Sequence, residues 1–329
     1  MAQGIPTDPL LSSQWHLGLG AWAINVQDVW LDYTGNGVTV AVLDDGFDYL
    51  HPDLSGPYNT SLDYDYGNFD TDAFYVTSQD THGTAVMGII GADDNGQGGV
   101  GVAFDTELIG YRLDFSSFTL TTLASALNNA ANNADIMNNS WGFTQIFSDN
   151  FSNSVWSGVS SALINMVDNG RGGLGTITLF SGGNDRAIGG NSNYHNMSNS
   201  PYTIAVAALD QDGTIATTIG SSGNPFEYSS PGANLLVSAP GSQIQTTDVR
   251  GATGYSSGDY TNVFGGTSAA SPIVSGVVAL MLEANPNLGY RDVQEILAFS
   301  ARKNDPTDAG WQTNGAGLHF NHDYGFGLV

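Results

Sequence analysis

Ser268 stands in a segment that could carry a nucleophile. Residues 264–272 form a Gly-rich stretch, Phe-Gly-Gly-Thr-Ser-Ala-Ala-Ser-Pro, and the run 273–282 that follows is apolar almost throughout. Such a run predicts a helix that is buried on every side, with Pro272 in its first turn, where proline is tolerated. Ser268 would then lie among free backbone N–H groups, a place suited to an oxyanion. The alternative is an N-cap serine before a core helix.

Three other residues could complete hydroxyl chemistry. A serine nucleophile needs a base to take its proton and a carboxylate to hold that base in one tautomer. His82 precedes a Gly-Thr helix start and is the candidate base, and Asp44 follows an apolar run and is the candidate carboxylate. Asn184 is the candidate amide donor to an oxyanion. Each also has a plainer interpretation, as a surface histidine, a helix N-cap or a turn residue. A surface or capping role is expected for four further histidines: His16, His51, His319 and His322.

The elements that must position these residues alternate between strands and helices. Strands are predicted over 38–43, 106–112, 134–139, 175–180 and 204–209, and helices over 23–30, 82–90, 123–132, 153–168, 273–282 and 290–300. This order predicts an α/β fold of three layers, α/β/α, with a mainly parallel central sheet. Ligands of such sheets bind beyond the C-terminal ends of the strands, where Asp44 and Asn184 both fall.

Composition narrows the class of protein. The 329 residues contain no linker and no repeat, which predicts a single domain over 1–329. There is no cysteine, so disulfides and thiol catalysis are excluded. Lys and Arg number 7 against 32 Asp and Glu, and the net charge of -25 disfavours binding to nucleic acid or to anionic membranes. No apolar run is long enough to predict a membrane span, and residues 1–15 do not have the pattern of a signal peptide.

The four candidate residues lie in motifs that together resemble the subtilisin-like serine proteases. The motifs are Val-Ala-Val-Leu-Asp-Asp-Gly at 40–46, His-Pro-Asp-Leu at 51–54, His-Gly-Thr at 82–84 and Gly-Thr-Ser-Ala-Ala-Ser-Pro at 266–272. The resemblance runs from Pro6 to Leu328. It is closer to the kexin/furin branch through segments 6–9, 44–45, 140–142, 170–175, 290–294 and 311–328.

This resemblance implies a subtilisin-like catalytic domain that hydrolyses peptide bonds as a serine endopeptidase. In such an enzyme Ser268 attacks the carbonyl, His82 shuttles the proton, and Asp44 orients His82. The Asn184 side chain and the Ser268 N–H would hold the oxyanion. Protein or peptide substrates are therefore the expected partners, a pro-segment or an inhibitor protein is a candidate partner, and the expected location is secreted or periplasmic.

The resemblance also implies calcium as a cofactor. One family site maps to Asp8, Asp53, Asn95, Gln97 and Gly99, the last two within a loop over 92–99 that offers backbone carbonyls. A second family site maps to Asp65, Asp70 and Asp72, in an Asp-x4-Asp-x-Asp spacing that would concentrate charge even without the resemblance. The alternative is that these acidic loops are merely solvated.

The residues expected to bind substrate depart from the kexin/furin branch. Six positions map to substrate binding: Asp45, Ser140, Trp141, Gly142, Gln145 and His195. That branch cleaves after paired basic residues, but Gln145 and His195 stand where it carries two aspartates, and Ser229-Ser230 offers no acid for its third calcium. An unpaired buried cation costs several kcal/mol. We therefore expect a neutral or apolar residue before the cleaved bond, with Asp45 adding at most a weak preference for a basic residue one position further away.

Two alternatives come from other classes of protein. One is a catalytically inactive binding or scaffold domain that keeps the fold, and the other is a structural module whose calcium loops matter more than its serine. Four chemically competent groups at the catalytic positions favour the enzyme. Whether such an enzyme would be a general digestive protease or a dedicated maturation protease stays open at this level.

Overall fold

The centre of the fold is a parallel sheet, in a computed structural model that describes residues 4–221 and 223–329. The strands of the described residues are β1 Thr39–Asp44, β2 Tyr64–Asp65, β3 Glu107–Arg112, β4 Ile136–Asn139, β5 Ile177–Ser181, β6 Thr203–Leu209, β7 Thr217–Ile219, β8 Pro225–Glu227, β9 Leu235–Pro240, β10 Ile244–Thr247, β11 Tyr260–Phe264, β12 Gln312–Thr313 and β13 His319–Phe320. Seven of them form the sheet in the order β2-β3-β1-β4-β5-β6-β9, and all its pairings are parallel. The remaining strands pair as the antiparallel sets β7–β8, β10–β11 and β12–β13.

Helices cover both faces of this sheet. The α-helices of the described residues are α1 His82–Gly91, α2 Leu120–Asn133, α3 Ser157–Asn169, α4 Thr267–Ala284 and α5 Tyr290–Ser300. Alternate residues of β1 enter two separate cores: Val40 and Val42 pack with α1 and α4, whereas Ala41 and Leu43 pack with α2 and α3. This period of two is what a strand buried on both faces requires. The predicted three-layer α/β/α fold is confirmed.

Most predicted elements are present with small shifts. The helix predicted over 290–300 coincides with α5, and the strand predicted over 38–43 is β1, displaced by one residue. The helix predicted over 153–168 is divided into a 3₁₀ turn, Ser154–Trp156, and α3. The segment predicted as a helix over 23–30 is a 3₁₀ helix, Val26–Leu31. Strand β9 and the hairpin β7–β8 were not predicted.

Helix α4 differs from its prediction at the N-terminal end. It begins at Thr267, so Pro272 lies in its second turn and not in its first. Proline there removes the hydrogen bond that the carbonyl of Ser268 would otherwise accept within the helix. That carbonyl instead accepts the hydroxyl of Ser140 at 3.0 Å. Among the described residues α4 is the one helix long and apolar enough to cross a membrane, and 78% of it is buried inside the protein.

Two histidines expected at the surface are buried. His16 and His51 are both 0% exposed. The His51 ring accepts the N–H of Asp53 at Nδ1 (3.1 Å), so its Nε2 carries the proton and donates to the carbonyl of Asp259 (2.8 Å). Burial lowers the pKa of His16 to about 3, and its ring packs edge-on against Trp15. The expectation for these two residues was wrong because polar residues in irregular segments carry no periodicity that reveals burial.

Candidate active site

Asp44 and His82 form a tight ion pair at the carboxyl end of the sheet. Asp44 is the last residue of β1 and His82 the first of α1, and Nδ1 of His82 lies 2.8 Å and 3.0 Å from the two carboxylate oxygens. Because a carboxylate only accepts, Nδ1 carries a proton, and in the neutral imidazole Nε2 is left as a proton acceptor. Burial lowers the pKa of His82, but the charge and hydrogen bond of Asp44, with the charge of Asp45, outweigh it and raise that pKa to about 9.

Ser268 is the second residue of α4 and is 8% exposed. Its N–H belongs to the first helical turn, where no carbonyl of the same helix can accept it. Its hydroxyl donates to the carbonyl of Ser140 at 3.0 Å, and Ser268 and His82 line one cavity. The imidazole and the hydroxyl therefore face a common space, although the hydroxyl is turned towards the chain segment at 140.

Asn184 presents its amide nitrogen to the same space. Its Oδ1 accepts both the N–H and the hydroxyl of Thr267, each at 2.9 Å. Since a backbone N–H can only donate, the amide oxygen must face Thr267 and Nδ2 must point the other way. An ideal Cβ at Gly266 would lie 3.2 Å from Nδ2 of Asn184 and 3.4 Å from the backbone N of Ser268. Gly266, with φ +101°, thus keeps open a small cradle that two hydrogen-bond donors face.

Asp45, expected among the substrate-binding residues, also has a structural role. Its two carboxylate oxygens accept the N–H of His82 (3.1 Å) and the N–H of Gly83 (2.8 Å), which caps the N-terminus of α1. Burial, and then the charge of Asp44, raise the pKa of Asp45 to about 7, against the lowering effect of His82. Asp45 therefore fixes the start of the helix that carries the imidazole; contact with substrate stays a prediction for this residue.

A cavity of about 300 Å³ opens beside Ser268 and Asn184. Segment 140–142 forms part of its wall, and its large apolar side chains are Trp141, Phe143, Ile146, Phe180, Ile188 and Met197. Of the two positions expected to set specificity, His195 is on the wall, whereas Gln145 is exposed at its edge, between the lining residues Thr144 and Ile146. His195 donates from Nδ1 to the buried Asp149 at 3.0 Å. The other polar residues on the wall include Asp185 and Ser230.

The residues of the first expected calcium site lie together and suit a cation. Asp8 is 3% exposed, and its Oδ2 has no hydrogen-bond donor. Burial, and then the neighbouring carboxylate of Asp94, raise the pKa of Asp8 to about 7. Asp53 is fully buried and accepts Asn95 Nδ2 (3.2 Å) and the N–H of Gly99 (3.4 Å), and burial raises its pKa. Gln97 is exposed and donates its N–H to Asn95 Oδ1 (2.9 Å). The unpartnered Oδ2 of Asp8 is the kind of buried carboxylate oxygen that a hard cation would stabilise.

The residues of the second expected calcium site are engaged by groups of the chain itself. Within residues 4–221 and 223–329, no three or more His, Cys, Asp or Glu side chains converge to hold a metal, at this expected site or at the first. Asp65 is buried against Arg112, whose Nη1 lies 3.0 Å and 3.1 Å from its two oxygens. Asp70 and Asp72 each accept a nearby backbone N–H. The guanidinium already supplies the positive charge at Asp65, so we derive no role for calcium there.

Three residues of the site were missed in the sequence. Thr267 orients Asn184, Asp149 holds His195, and Arg112 neutralises Asp65. Only Arg112 carried a usable signal, because a lone cation at the end of a buried strand needs an acidic partner nearby. The partners of Thr267 and Asp149 lie 83 and 46 residues away, and no local pattern links them.

Known proteins with this architecture place the chain in a family. The model of the subtilase family matches residues 35–327. The dibasic-processing endoprotease of Yarrowia lipolytica is 34% identical over 98% of this chain and 33% of its own length, and furin of Mus musculus is 33% identical over 98% of this chain and 40% of its own length. The structural match to the serine protease of Aeromonas sobria, solved in complex with the chaperone ORF2, covers 100% of this chain and 66% of the chain of that protease, with a TM-score of 0.86 and 26% identity. This chain spans between about a third and about half of the curated relatives that it matches. The chain belongs to the subtilase family.

Proposed function

We propose that this subtilase chain acts, as one catalytic domain over 1–329, as a serine endopeptidase with Ser268 as nucleophile, His82 as base and Asp44 as its orienting carboxylate. The observation that carries the proposal is the convergence of a hydroxyl, a carboxylate-bound imidazole and a two-donor cradle on one cavity. A structural module would have no need of this set of groups around one cavity.

The reaction follows from the geometry. Rotation about the Cα–Cβ bond of Ser268 turns the hydroxyl from the Ser140 carbonyl towards Nε2 of His82, which takes the proton as the oxygen attacks the peptide carbonyl. The negative charge that forms on the carbonyl oxygen is held by the Ser268 N–H and by Nδ2 of Asn184. His82 then gives its proton to the leaving amine, and a water molecule, activated by the same imidazole, hydrolyses the acyl-enzyme. Asp44 stays ionised and keeps the proton of His82 on Nδ1 throughout.

Fluorophosphonate labelling tests this assignment. The chain should react covalently with the probe, and Ser268→Ala should abolish both the labelling and the hydrolysis of a casein substrate. Ser125→Ala, at an exposed serine on α2, is the matched control and should change neither. Labelling that survives Ser268→Ala would overturn the proposal, as would a folded wild-type chain that never labels.

The first cavity is proposed to bind the residue before the cleaved bond and to prefer a neutral or apolar side chain. Its wall is mostly aromatic and aliphatic, His195 covers the buried carboxylate of Asp149, and Ser230 offers no charge. Cleavage after a basic residue is the second candidate, because Asp185 also lines the wall. A cleavage profile on a proteome-derived peptide library separates them, and a profile dominated by Arg or Lys would establish the second.

Calcium is proposed to stabilise the fold through Asp8, Asp53, Asn95 and backbone oxygens of the 92–99 loop. The unpartnered Oδ2 of Asp8 supports this proposal. Bound there, the ion would neutralise two buried carboxylates and tie the N-terminal arm to the loop after α1; it would take no part in the chemical steps. The chaperone complex of the Aeromonas sobria protease supports a protein partner for this chain as well, and co-purification of an accessory protein would test it.

A further inference from the structure

A second cavity, of about 690 Å³, also borders Ser268. Ser268 and Asn184 border both cavities, but His82 borders only the second. The imidazole must give its proton to the leaving amine, so the leaving half of a substrate departs on the side that carries His82. This geometry assigns the second cavity to the chain that follows the cleaved bond.

The hairpin formed by β7 and β8 builds the far wall of this cavity. Thr217, Thr218, Ile219 and Phe226 all line it, and Thr218 pairs with Phe226 across the hairpin. The opposite wall is aromatic: Phe264 lies edge-on to the His82 ring, with 5.4 Å between the centroids, and Tyr255 lies edge-on to Phe264 at 5.3 Å.

Polar contacts hold the base of the hairpin and leave its apolar side chains free. Oδ2 of Asp210 accepts the N–H of Thr217 (3.2 Å) and its hydroxyl (2.7 Å) at the start of β7. At the end of β8 the Nε of Arg186 donates to Glu227 (2.8 Å). Asp210 is therefore engaged with the hairpin, and Glu227 with Arg186.

Four large apolar side chains on the two walls remain exposed to solvent. The exposed fractions are 67% for Ile219, 39% for Phe226, 42% for Tyr255 and 62% for Val263. Exposed apolar groups that converge around one cavity mark a binding surface, because covering them removes apolar area from water. Since His82 and Ser268 form the inner end of the cavity, the occupant that fits this position is the leaving segment of the substrate.

We propose that the paired strands β7 and β8 are a specificity element that selects a bulky apolar residue directly after the cleaved bond. The proposal rests on the proposed function, since it assigns the leaving side from the proton transfer by His82. It makes no use of the cavity that is proposed to bind the residue before the bond.

Peptides that share one acyl half and differ only in the residue after the cleaved bond test the proposal. The wild-type chain should cleave the Leu and Phe peptides with a kcat/KM at least about tenfold above that of the Gly and Asp peptides. The paired change Ile219→Ser with Phe226→Ser should reduce this ratio to less than about threefold. Hydrolysis of a methyl ester with the same acyl half should stay within about twofold, because methanol is too small to reach the hairpin. Val155→Ser, at a 61% exposed residue that lines neither cavity, is the matched control and should leave the ratio unchanged.

Acyl transfer gives a second measurement that is independent of the acylation step, in which the acyl-enzyme forms. When the methyl ester is hydrolysed in the presence of added phenylalanine amide or glycine amide, the wild-type acyl-enzyme should transfer preferentially to phenylalanine amide, and the paired variant should lose this preference. A wild-type ratio near one, or a ratio that the paired change leaves intact, overturns the inference while Ser268-dependent ester hydrolysis still upholds the proposed function. If the wild-type chain does not hydrolyse the ester, the proposed function fails, and this inference fails with it.

Discussion

Gly266→Ala is the substitution that most directly challenges the proposed oxyanion cradle. The added methyl carbon would stand 3.2 Å from Nδ2 of Asn184 and 3.4 Å from the N of Ser268, in the space between the two donors. An oxyanion would need to approach each donor to about 2.7–3.1 Å. The methyl group and the oxygen cannot share this space, so the variant should lose the stabilisation from both donors.

The expected loss of activity is large. Removal of one such donor costs about 3–4 kcal/mol of transition-state stabilisation, or about 10²- to 10³-fold in kcat, a magnitude measured on subtilisin, a protein of the same family. Gly266→Ala should reach at least this loss, because the methyl group obstructs both donors. The residue also has φ +101° and ψ 169°, a conformation almost confined to glycine, so the substitution should cost a further 1–3 kcal/mol of folding stability, a rough figure.

A matched control separates the two effects. Gly317 has φ +84° and no atom within 4 Å of its ideal Cβ, so Gly317→Ala introduces a strained φ without filling a functional space. Both variants should melt at a lower temperature than the wild-type chain, but only Gly266→Ala should lose kcat in an ester assay and react slowly with a fluorophosphonate. A folded Gly266→Ala variant with kcat within threefold of the wild-type value would refute the assignment of the cradle.

Three further predictions concern pH, calcium and specificity. The charge of Asp44 holds the pKa of His82 at about 9, and the base must be neutral, so kcat/KM should rise with pH to a half-maximum near 9. Asp44→Asn should lower this midpoint by about one pH unit or more, and an unshifted midpoint would contradict the pairing of Asp44 with His82. Excess chelator should lower the melting temperature, by about 1–2 °C per kcal/mol lost, and Asp8→Asn should shrink the effect, whereas an unchanged melting curve would count against the calcium site. Gln145→Asp combined with His195→Asp should raise cleavage after Arg relative to Leu by about tenfold or more, since a paired cation avoids a desolvation cost; a peptide-library profile that does not move would show that other residues set the preference.

The fold was predictable where the sequence repeats a clear period. Segments such as 38–43 and 290–300 show the apolar pattern of a buried strand and of an amphipathic helix, and the structure has β1 and α5 there. Strand β9 begins Leu-Leu-Val and ends in Pro240, too short and too interrupted to separate from loop by pattern alone. Strand β2 has only two residues, Tyr64 and Asp65, and its extended form depends on pairing with β3, a tertiary contact.

The residue types of the candidate site were predictable from the sequence, but the groups that each side chain contacts were not. The order Asp44, His82, Asn184, Ser268 picked out groups that the structure brings to one cavity or its border. What each group contacts depended on distant partners. Asp45 also caps α1, a role that the sequence did not predict, because the helix N-terminus offers it two free N–H groups.

The position of Ser268 depends on a backbone hydrogen bond that is missing from its own helix. Pro272 cannot donate to the Ser268 carbonyl, and the resulting free acceptor is satisfied by the hydroxyl of Ser140, while the Ser268 hydroxyl donates back to the Ser140 carbonyl at 3.0 Å. Asn138 on β4 extends this pair: its Nδ2 donates to the Ser140 hydroxyl (2.9 Å), and its Oδ1 accepts the hydroxyl of Ser271 (2.9 Å). All these groups are buried, where an unpaired polar atom is costly, so a helix shifted by one residue would lose several hydrogen bonds at once. An apolar interface without such hydrogen bonds would allow the helix to shift along the strand. These hydrogen bonds fix the register of α4 against β4, and with it the position of the nucleophile at the edge of the sheet.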